Sequence, residues 1–166
     1  KGTADKNKTS VGKNCLIMAY VHIAHDCIVG DHCIIANGVT LAGHIKIDDF
    51  AILEGLVAVQ QFVHIGAHSF IAGASLVRKN VPPYVKAARE PLAYIGINSV
   101  GLKRRGYTAD DVSTIENIYK QIYILNKNVS EGMSKVASSV ADGKLKSEIM
   151  DFINSSEKGV IRSSLS

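Results

Sequence analysis

The sequence has an uninterrupted six-residue period from residue 11 to residue 77. Every sixth position in this stretch is valine, leucine or isoleucine, and a second small or apolar side chain recurs four residues after each of them. An amphipathic helix repeats its apolar face about every 3.6 residues and a half-buried strand about every 2, so neither explains this spacing. Three hexads make one triangular coil of a parallel β-helix. The period therefore predicts a β-helix over residues 1–83, in which positions 18 apart stack on one another.

The hexads end at Pro82 and Pro83, which cannot donate hydrogen bonds to a sheet. Residues 84–106 are predicted to form a connecting arm. Thr108 then provides an N-cap, and the apolar residues after it fall on one face of a helix of about 18 to 20 residues. Two weaker amphipathic patterns follow at 130–141 and 144–155. Residues 107–166 are thus predicted to be a small α-helical domain, and the fold class is expected to be mainly β.

Composition narrows the classes of protein. Three cysteines, an odd number, favour a reducing compartment over a disulfide framework. No stretch reaches the roughly 18 apolar residues of a membrane span and no signal peptide is visible, so we expect a soluble, cytoplasmic protein without integral membrane association. A net charge of +4 does not indicate a nucleic-acid partner. Because the chain starts at Lys1 and the hexads are already running by Val11, further coils are expected before it.

Polar residues between the inward positions are the candidates for chemistry. Stacking at 18 residues places His44 over Asp26 and Gly43 over His25, and it places Gln61 one coil beyond Gly43. Two imidazoles, a carboxylate, an amide and a glycine N–H are therefore expected within about 10 Å, the span of two coil spacings.

This cluster suits acyl transfer to a hydroxyl group. Histidine can accept the hydroxyl proton near neutral pH, and a carboxylate can fix its tautomer. The backbone N–H of Gly43 is open to a developing oxyanion. Neither a metal nor a serine or cysteine nucleophile is required. The competing hypothesis is a zinc site built from the pair His22 and His25 or the pair His64 and His68, but the columns of these residues do not align.

Several motifs resemble one family of acyltransferases. They are the sequence His-Ile-Ala-His-Asp at 22–26, Gln-Phe at 61–62, Val-Pro-Pro-Tyr-Val at 81–85 and Gly-Leu-Lys-Arg-Arg-Gly at 101–106. These motifs resemble the acyl-carrier-protein dependent UDP-N-acetylglucosamine O-acyltransferases of bacterial lipid A synthesis, and the resemblance covers nearly the whole chain. The resemblance implies a homotrimer of left-handed parallel β-helices, an exception to the usual right-handed crossover. It places active sites in the clefts between subunits.

The resemblance also implies the reaction. A 3-hydroxyacyl group moves from the phosphopantetheine arm of acyl carrier protein to the 3-hydroxyl of UDP-N-acetylglucosamine, without a separate cofactor. His25 matches the general base, Asp26 the carboxylate that orients it, and Gly43 the glycine whose N–H meets the thioester carbonyl.

Further positions match the family's binding residues. The substrate-binding set consists of His22, His44, Gln61, Asn98, Arg104 and Arg105. The forked guanidinium of Arg104 suits a diphosphate, and Arg105 is expected to act with Lys103 in attracting the acidic carrier protein. Phe70 and Gly73 match the pocket for the acyl chain, whose length stays open.

Three other functions remain alternatives. They are the related N-acyltransferase of the same pathway, an acetyl-CoA dependent hexapeptide acetyltransferase, and a non-catalytic β-helix that serves as an oligomerisation module. The pair Arg104 and Arg105 and the helical tail favour the O-acyltransferase.

Overall fold

A computed structural model describes residues 2–3 and 8–163 of the chain. Its first part consists of two-residue strands that recur every six residues and lie in three parallel sheets. The strands are β1 (Ser10–Val11), β2 (Leu16–Ile17), β3 (His22–Ile23), β4 (Ile28–Val29), β5 (Ile34–Ile35), β6 (Thr40–Leu41), β7 (Lys46–Ile47), β8 (Ile52–Leu53), β9 (Ala58–Val59), β10 (His64–Ile65), β11 (Phe70–Ile71) and β12 (Leu76–Val77). From β1 to β9 each strand pairs with the third strand after it, so that His22, for example, lies opposite Thr40. The predicted parallel β-helix with an 18-residue coil is confirmed.

Every hexad turns a corner through a left-handed backbone. From residue 14 to residue 74, each sixth residue has a φ between 56° and 67°, and only one of these residues is glycine. Left-handed backbone is unfavourable for other residue types, so the surrounding coils must hold it in place. They do so with hydrogen bonds between coils, such as the one from His44 N to His25 O at 3.0 Å.

The corner residues stack into three edges of a triangular prism, each named here after one member. The Asp26 edge holds Asp26, His44 and Phe62; the His68 edge holds Asn14, His32, Phe50 and His68; and the Leu56 edge holds Tyr20, Gly38, Leu56 and Ala74. The prism interior is filled by fully buried apolar side chains at the inward positions, such as Ile35 and Leu53. Burial of each of these side chains contributes roughly 1.5 to 3 kcal/mol, so the interior fixes the register that stacks the edges.

The segment predicted as a connecting arm has regular structure. Strand β13 (Val85–Ala88) continues the sheet of β11, with Phe70 opposite Lys86. It pairs antiparallel with β14 (Ala93–Ile97), and the short helix α1 (Ser99–Arg104) follows. The segment therefore folds back along the prism instead of leaving it.

Three helices follow: α2 (Ala109–Tyr123), α3 (Val129–Ser139) and α4 (Lys144–Asn154). Strand β15 (Arg162–Ser163) then pairs with β14. As predicted, Thr108 caps α2; its hydroxyl accepts from the Asp111 N–H, and the Asp111 carboxylate accepts from the Thr108 N–H. Helix α2 is shorter than predicted because the Asn126 side chain donates to the Gln121 carbonyl at 2.7 Å and ends the helical pattern.

No helix in the described part of the chain has the length and apolarity that crossing a lipid bilayer requires.

Candidate active site

His25 and Asp26 form a hydrogen-bonded pair on the Asp26 edge. Asp26 occupies a left-handed corner and is fully buried, and His25 Nδ1 lies 2.9 Å from its Oδ2 atom. Burial opposes ionisation, but hydrogen bonds from Thr3 and His25 and the charge of His44 hold the pKa of Asp26 well below its ordinary value. An anionic Asp26 accepts the proton of Nδ1, so the neutral ring of His25 carries its free lone pair on Nε2.

Thr3 completes the surroundings of this carboxylate. Its backbone N–H lies 2.9 Å from Oδ1 and 3.1 Å from Oδ2 of Asp26, and its hydroxyl donates to Oδ2. Thr3 was not predicted from the sequence because it lies before the hexads. It is 23 residues from Asp26, and stacking predicts contacts only between positions 18 residues apart. We find no sequence signal that would have identified it.

Gly43 lies directly beneath the His25 ring. A Cβ atom on Gly43 would be 2.5 Å from His25 Cε1 and 2.6 Å from Nε2, so only glycine fits without displacing the imidazole. No acceptor in the described part of the chain is hydrogen-bonded to the Gly43 N–H. The stacking of Gly43 on His25 predicted from the sequence is confirmed.

The next coils place two further rings on this edge. The rings of His25 and His44 meet edge to face with centroids 5.1 Å apart, and His44 Nε2 is 3.7 Å from Asp26 Oδ2. Phe62 stacks on His44 at 4.8 Å, and the Lys158 ammonium lies 5.8 Å from the centre of the Phe62 ring. Phe62 and Lys158 were not among the predicted site residues. Phe62 lies 18 residues after His44, so the stacking of the coils places it in the same column.

Two other predicted substrate-binding residues lie beside this edge. His22 is exposed on β3, on the strand that leads into the corner, and Gln61 is exposed next to Phe62. The coil that carries Gln61 stacks on the Gly43 coil, with Phe62 N donating to Gly43 O at 3.2 Å. The structure therefore exposes His22 and Gln61 at the surface in the coils that also carry His25 and Phe62.

The arm residues lie at a different edge of the prism. Asn98 is buried as the N-cap of α1, and its side-chain amide donates to the His68 carbonyl at 2.9 Å. The Arg105 guanidinium lies 5.3 Å from the centre of the Phe50 ring, with Nη1 at 3.5 Å from His68 Nδ1. Arg104 is exposed. Arg105 is therefore held against the His68 edge, whereas the Arg104 side chain extends into solvent.

The predicted acyl-pocket residues are separate from both groups. Gly73 precedes the corner of the Leu56 edge, and its N–H donates to Glu54 Oε2 at 3.0 Å. A Cβ atom at Gly73 would approach the Gly55 carbonyl oxygen to 3.2 Å, so the two glycines do stack closely. Phe70 lies on the outer face of β11 with Lys86 above its ring at 5.3 Å. In one chain, the predicted site residues are thus distributed over three edges.

The His68 side chain is buried between the prism and the segment that follows it. Its ring stacks between Phe50 and Tyr84, and Nε2 lies 3.1 Å from the Tyr107 hydroxyl. Burial, and then the charge of Arg105, lower the pKa of His68 from 6.5 to about 4, against a smaller opposing effect of Asp49.

This pKa predicts acid-sensitive stability. Between about pH 6.5 and about pH 4 the unfolded chain binds a proton at His68 that the folded chain does not, so the free energy of unfolding falls as pH decreases. A His68→Phe variant keeps a stacking ring but lacks the titrating group. Urea unfolding at about pH 7 and about pH 4.5 should therefore show an acid-induced loss up to about 2 to 3 kcal/mol smaller in the variant. Equal losses in both proteins would contradict the assignment.

Three polar side chains at the Asp26 edge are close enough to one another to bind a metal ion together. Ligand atoms of His25, Asp26 and His44 lie within 4.8 Å of one another. However, Oδ2 of Asp26 already accepts from His25 Nδ1, so these atoms are engaged with each other. The zinc pairs predicted as an alternative are His22 with His25 and His64 with His68. In the second pair the contacts diverge, because His64 bonds to Asp48 at 2.7 Å whereas His68 bonds to Tyr107.

Comparison with known proteins shows two family profiles and a set of named relatives. Residues 80–161 match the family profile described as UDP-N-acetylglucosamine O-acyltransferase, domain 2, and residues 8–43 match the bacterial transferase hexapeptide profile of six repeats. A curated acyl-[acyl-carrier-protein]–UDP-N-acetylglucosamine O-acyltransferase from Thiobacillus denitrificans is 42% identical over 158 residues, which is 95% of this chain and 61% of that protein.

Solved structures give the same result. A UDP-N-acetylglucosamine acyltransferase from Bacteroides fragilis superposes with a TM-score of 0.93 at 42% identity, over 97% of this chain and 63% of that one. The enzyme from Francisella novicida superposes with a TM-score of 0.92, also at 42% identity, over 98% of this chain and 60% of that one.

The fold and the repeat profile place the chain in the class of proteins built from the bacterial transferase hexapeptide repeat. Within this class the chain belongs to the family of UDP-N-acetylglucosamine O-acyltransferases, as the sequence motifs predicted. It spans about three fifths of the length of the relatives that it matches.

Proposed function

We propose that the protein transfers a 3-hydroxyacyl group from acyl carrier protein to the 3-hydroxyl of UDP-N-acetylglucosamine, the first step of lipid A synthesis. The observation that carries this proposal is the position of the His25 ring, which hydrogen-bonds to the buried Asp26 carboxylate and packs against Gly43. Family membership gives independent support, because the relatives are named for this reaction.

The geometry suggests a direct attack. His25 Nε2 accepts the proton of the sugar hydroxyl as its oxygen bonds to the thioester carbonyl carbon. The oxygen of the resulting tetrahedral intermediate becomes negative and accepts a hydrogen bond from the Gly43 N–H. The carbon–sulfur bond then breaks, and the imidazolium of His25 returns its proton to the departing thiolate. Asp26 stabilises the imidazolium between these two transfers.

The surrounding side chains suit the two substrates. His22, His44 and Gln61 provide polar contacts around the attacking hydroxyl, and Phe62 provides an aromatic surface next to them. Arg104 is free to pair with the diphosphate, because its guanidinium is exposed and its neighbour Arg105 is anchored on Phe50. Lys103, Arg104 and Arg105 also form a basic turn that suits the acidic carrier protein. We propose no cofactor or metal for the transfer itself.

We also infer that the protein acts as a homotrimer. The proposed substrate-binding residues lie at two edges, with His44 on the Asp26 edge and Asn98 against His68. They can meet around one substrate only if neighbouring subunits contribute different edges. One outer face of the prism supports this inference, since four successive side chains of its stacked column are apolar before Lys86 follows on β13. These four side chains are those of Leu16, Ile34, Ile52 and Phe70. An apolar column of this kind suits burial against another copy of the chain.

The trimer can be tested at this column. Ile52→Lys puts a charge in the middle of the apolar face, so the variant is expected to dissociate into monomers in light-scattering measurements of mass. Leu125→Lys is the matched control, because Leu125 is an exposed apolar residue near the end of α2, away from the column. Retention of the trimer by the Ile52 variant would contradict the assigned interface.

The substrates distinguish this proposal from its alternatives. The full-length protein should be incubated with 3-hydroxyacyl carrier protein or with acetyl-CoA as donor, and with UDP-N-acetylglucosamine or its 3-O-acyl-glucosamine derivative as acceptor. Mass spectrometry should detect an ester product from the carrier-protein donor and UDP-N-acetylglucosamine, and its yield should not change with a metal chelator. An amide product would indicate the related N-acyltransferase, an acetylated product the acetyl-CoA enzyme, and no product an oligomerisation module.

The proposed site of action is the cytoplasm. Cys15, Cys27 and Cys33 are all free thiols, and the last two are buried inward residues of the prism, which suits a reducing compartment.

A further inference from the structure

We infer that Thr3 is a positioning residue that sets the basicity of His25 through the Asp26 carboxylate. This inference rests on the proposed role of His25 as the general base. It assigns a function to a residue that lies outside the hexad repeats.

The contacts of Thr3 are concentrated on one carboxylate. Its backbone N–H reaches both oxygens of Asp26, and its hydroxyl donates to Oδ2, the oxygen that also accepts from His25 Nδ1. Asp26 is fully buried, so bulk water does not contact the carboxylate in this arrangement. The Thr3 hydroxyl and the His25 ring therefore share a single acceptor atom.

Sharing this atom has a consequence for the base. A carboxylate oxygen that accepts a second hydrogen bond attracts the imidazolium less strongly, because part of its charge is neutralised by the other donor. Among the described residues, His44 also faces the pair, with its Nε2 atom 3.7 Å from the same oxygen. Removal of the Thr3 hydroxyl should therefore strengthen the His25–Asp26 interaction and raise the pKa of His25.

The predicted rise in the pKa of His25 distinguishes a positioning role of Thr3 from a merely structural one. The acid limb of a kcat/KM profile reports the protonation of the free base, so a higher pKa of His25 moves that limb to higher pH. A residue that only tethers the start of the chain to the prism would change stability or overall rate and leave the limb unmoved.

The test compares Thr3→Val, which removes the hydroxyl at nearly constant shape, with Thr3→Ser, which keeps it. In the full-length protein, Thr3→Val should move the acid limb up by about half to one pH unit, and Thr3→Ser should leave it at the wild-type position. Thr9→Val is the control. It removes the same kind of hydroxyl, but that of Thr9 donates to the Ala24 carbonyl at 3.3 Å, so the acid limb should stay at the wild-type position. Titration of the His25 ring by NMR, with ¹³C at Cε1, gives the same pKa without depending on turnover.

Coincident acid limbs and coincident NMR titrations for wild type and Thr3→Val would overturn the inference. Failure of the underlying proposal is recognised separately, because a His25→Ala variant would then retain turnover.

Discussion

A His25→Ala variant is expected to lose between about a hundredfold and ten-thousandfold in kcat, the range that a positioned general base contributes. The sugar hydroxyl would then have to lose its proton to water, since the structure places Nε2 of His25 as the free basic atom above Gly43. The measurement is the steady-state rate of ester formation, accompanied by circular dichroism and light scattering to establish that fold and assembly are unchanged.

His32→Ala is the matched control for this variant. His32 is a histidine at a corner of a different edge, the His68 edge, where it stacks on Phe50 with centroids 4.7 Å apart. Its replacement should leave kcat close to the wild-type value. Full activity in the His25 variant, or equal losses in both, would mean that the Asp26 edge is not the reaction centre.

A Gly43→Ala variant is expected to lose about a hundredfold or more in kcat through displacement of the base. The added methyl group would lie 2.5 Å from His25 Cε1, well inside van der Waals contact, so the imidazole must move away from the carbonyl of the donor. Displacement of a reacting group by about 1 Å is enough for a loss of this size. Rates of ester formation, measured at saturating concentrations of both substrates, test the effect on kcat.

Gly143→Ala provides the comparison, because a Cβ atom at Gly143 meets no atom of the described chain within 4 Å and its backbone is extended. This control should keep wild-type activity. If Gly43→Ala also keeps it, the close approach between Gly43 and His25 has no role in the reaction.

The repeat made much of the fold predictable. A sustained period of six residues leaves few arrangements, and it converts sequence separation into vertical position. For this reason the stacking of His44 on Asp26 and of Gly43 on His25 could be derived before any coordinates, and both are found. The helical tail was predictable for a different reason, since Thr108 and the apolar face after it are local signals.

Contacts made outside the repeat were not predictable in this way. Thr3 reaches Asp26 from a segment that has no period, and the arm was expected to connect two domains although it forms a β-hairpin. The burial of Asn98 against His68 depends on how this hairpin folds back, which no local signal encodes. The grid also describes one chain only, so it places Arg105 and His25 at different edges and carries no information on contacts between subunits.

The central claim is that the hydroxyl attacks the thioester directly, without an acyl group on the protein. Rapid mixing of the full-length protein with 3-hydroxyacyl carrier protein, followed by intact-mass measurement of quenched samples, tests it most directly. We predict an unmodified protein mass in the absence of acceptor, and formation of the ester at the rate of carrier-protein deacylation once UDP-N-acetylglucosamine is added. An acyl adduct on the protein that disappears when the acceptor is supplied would contradict the account.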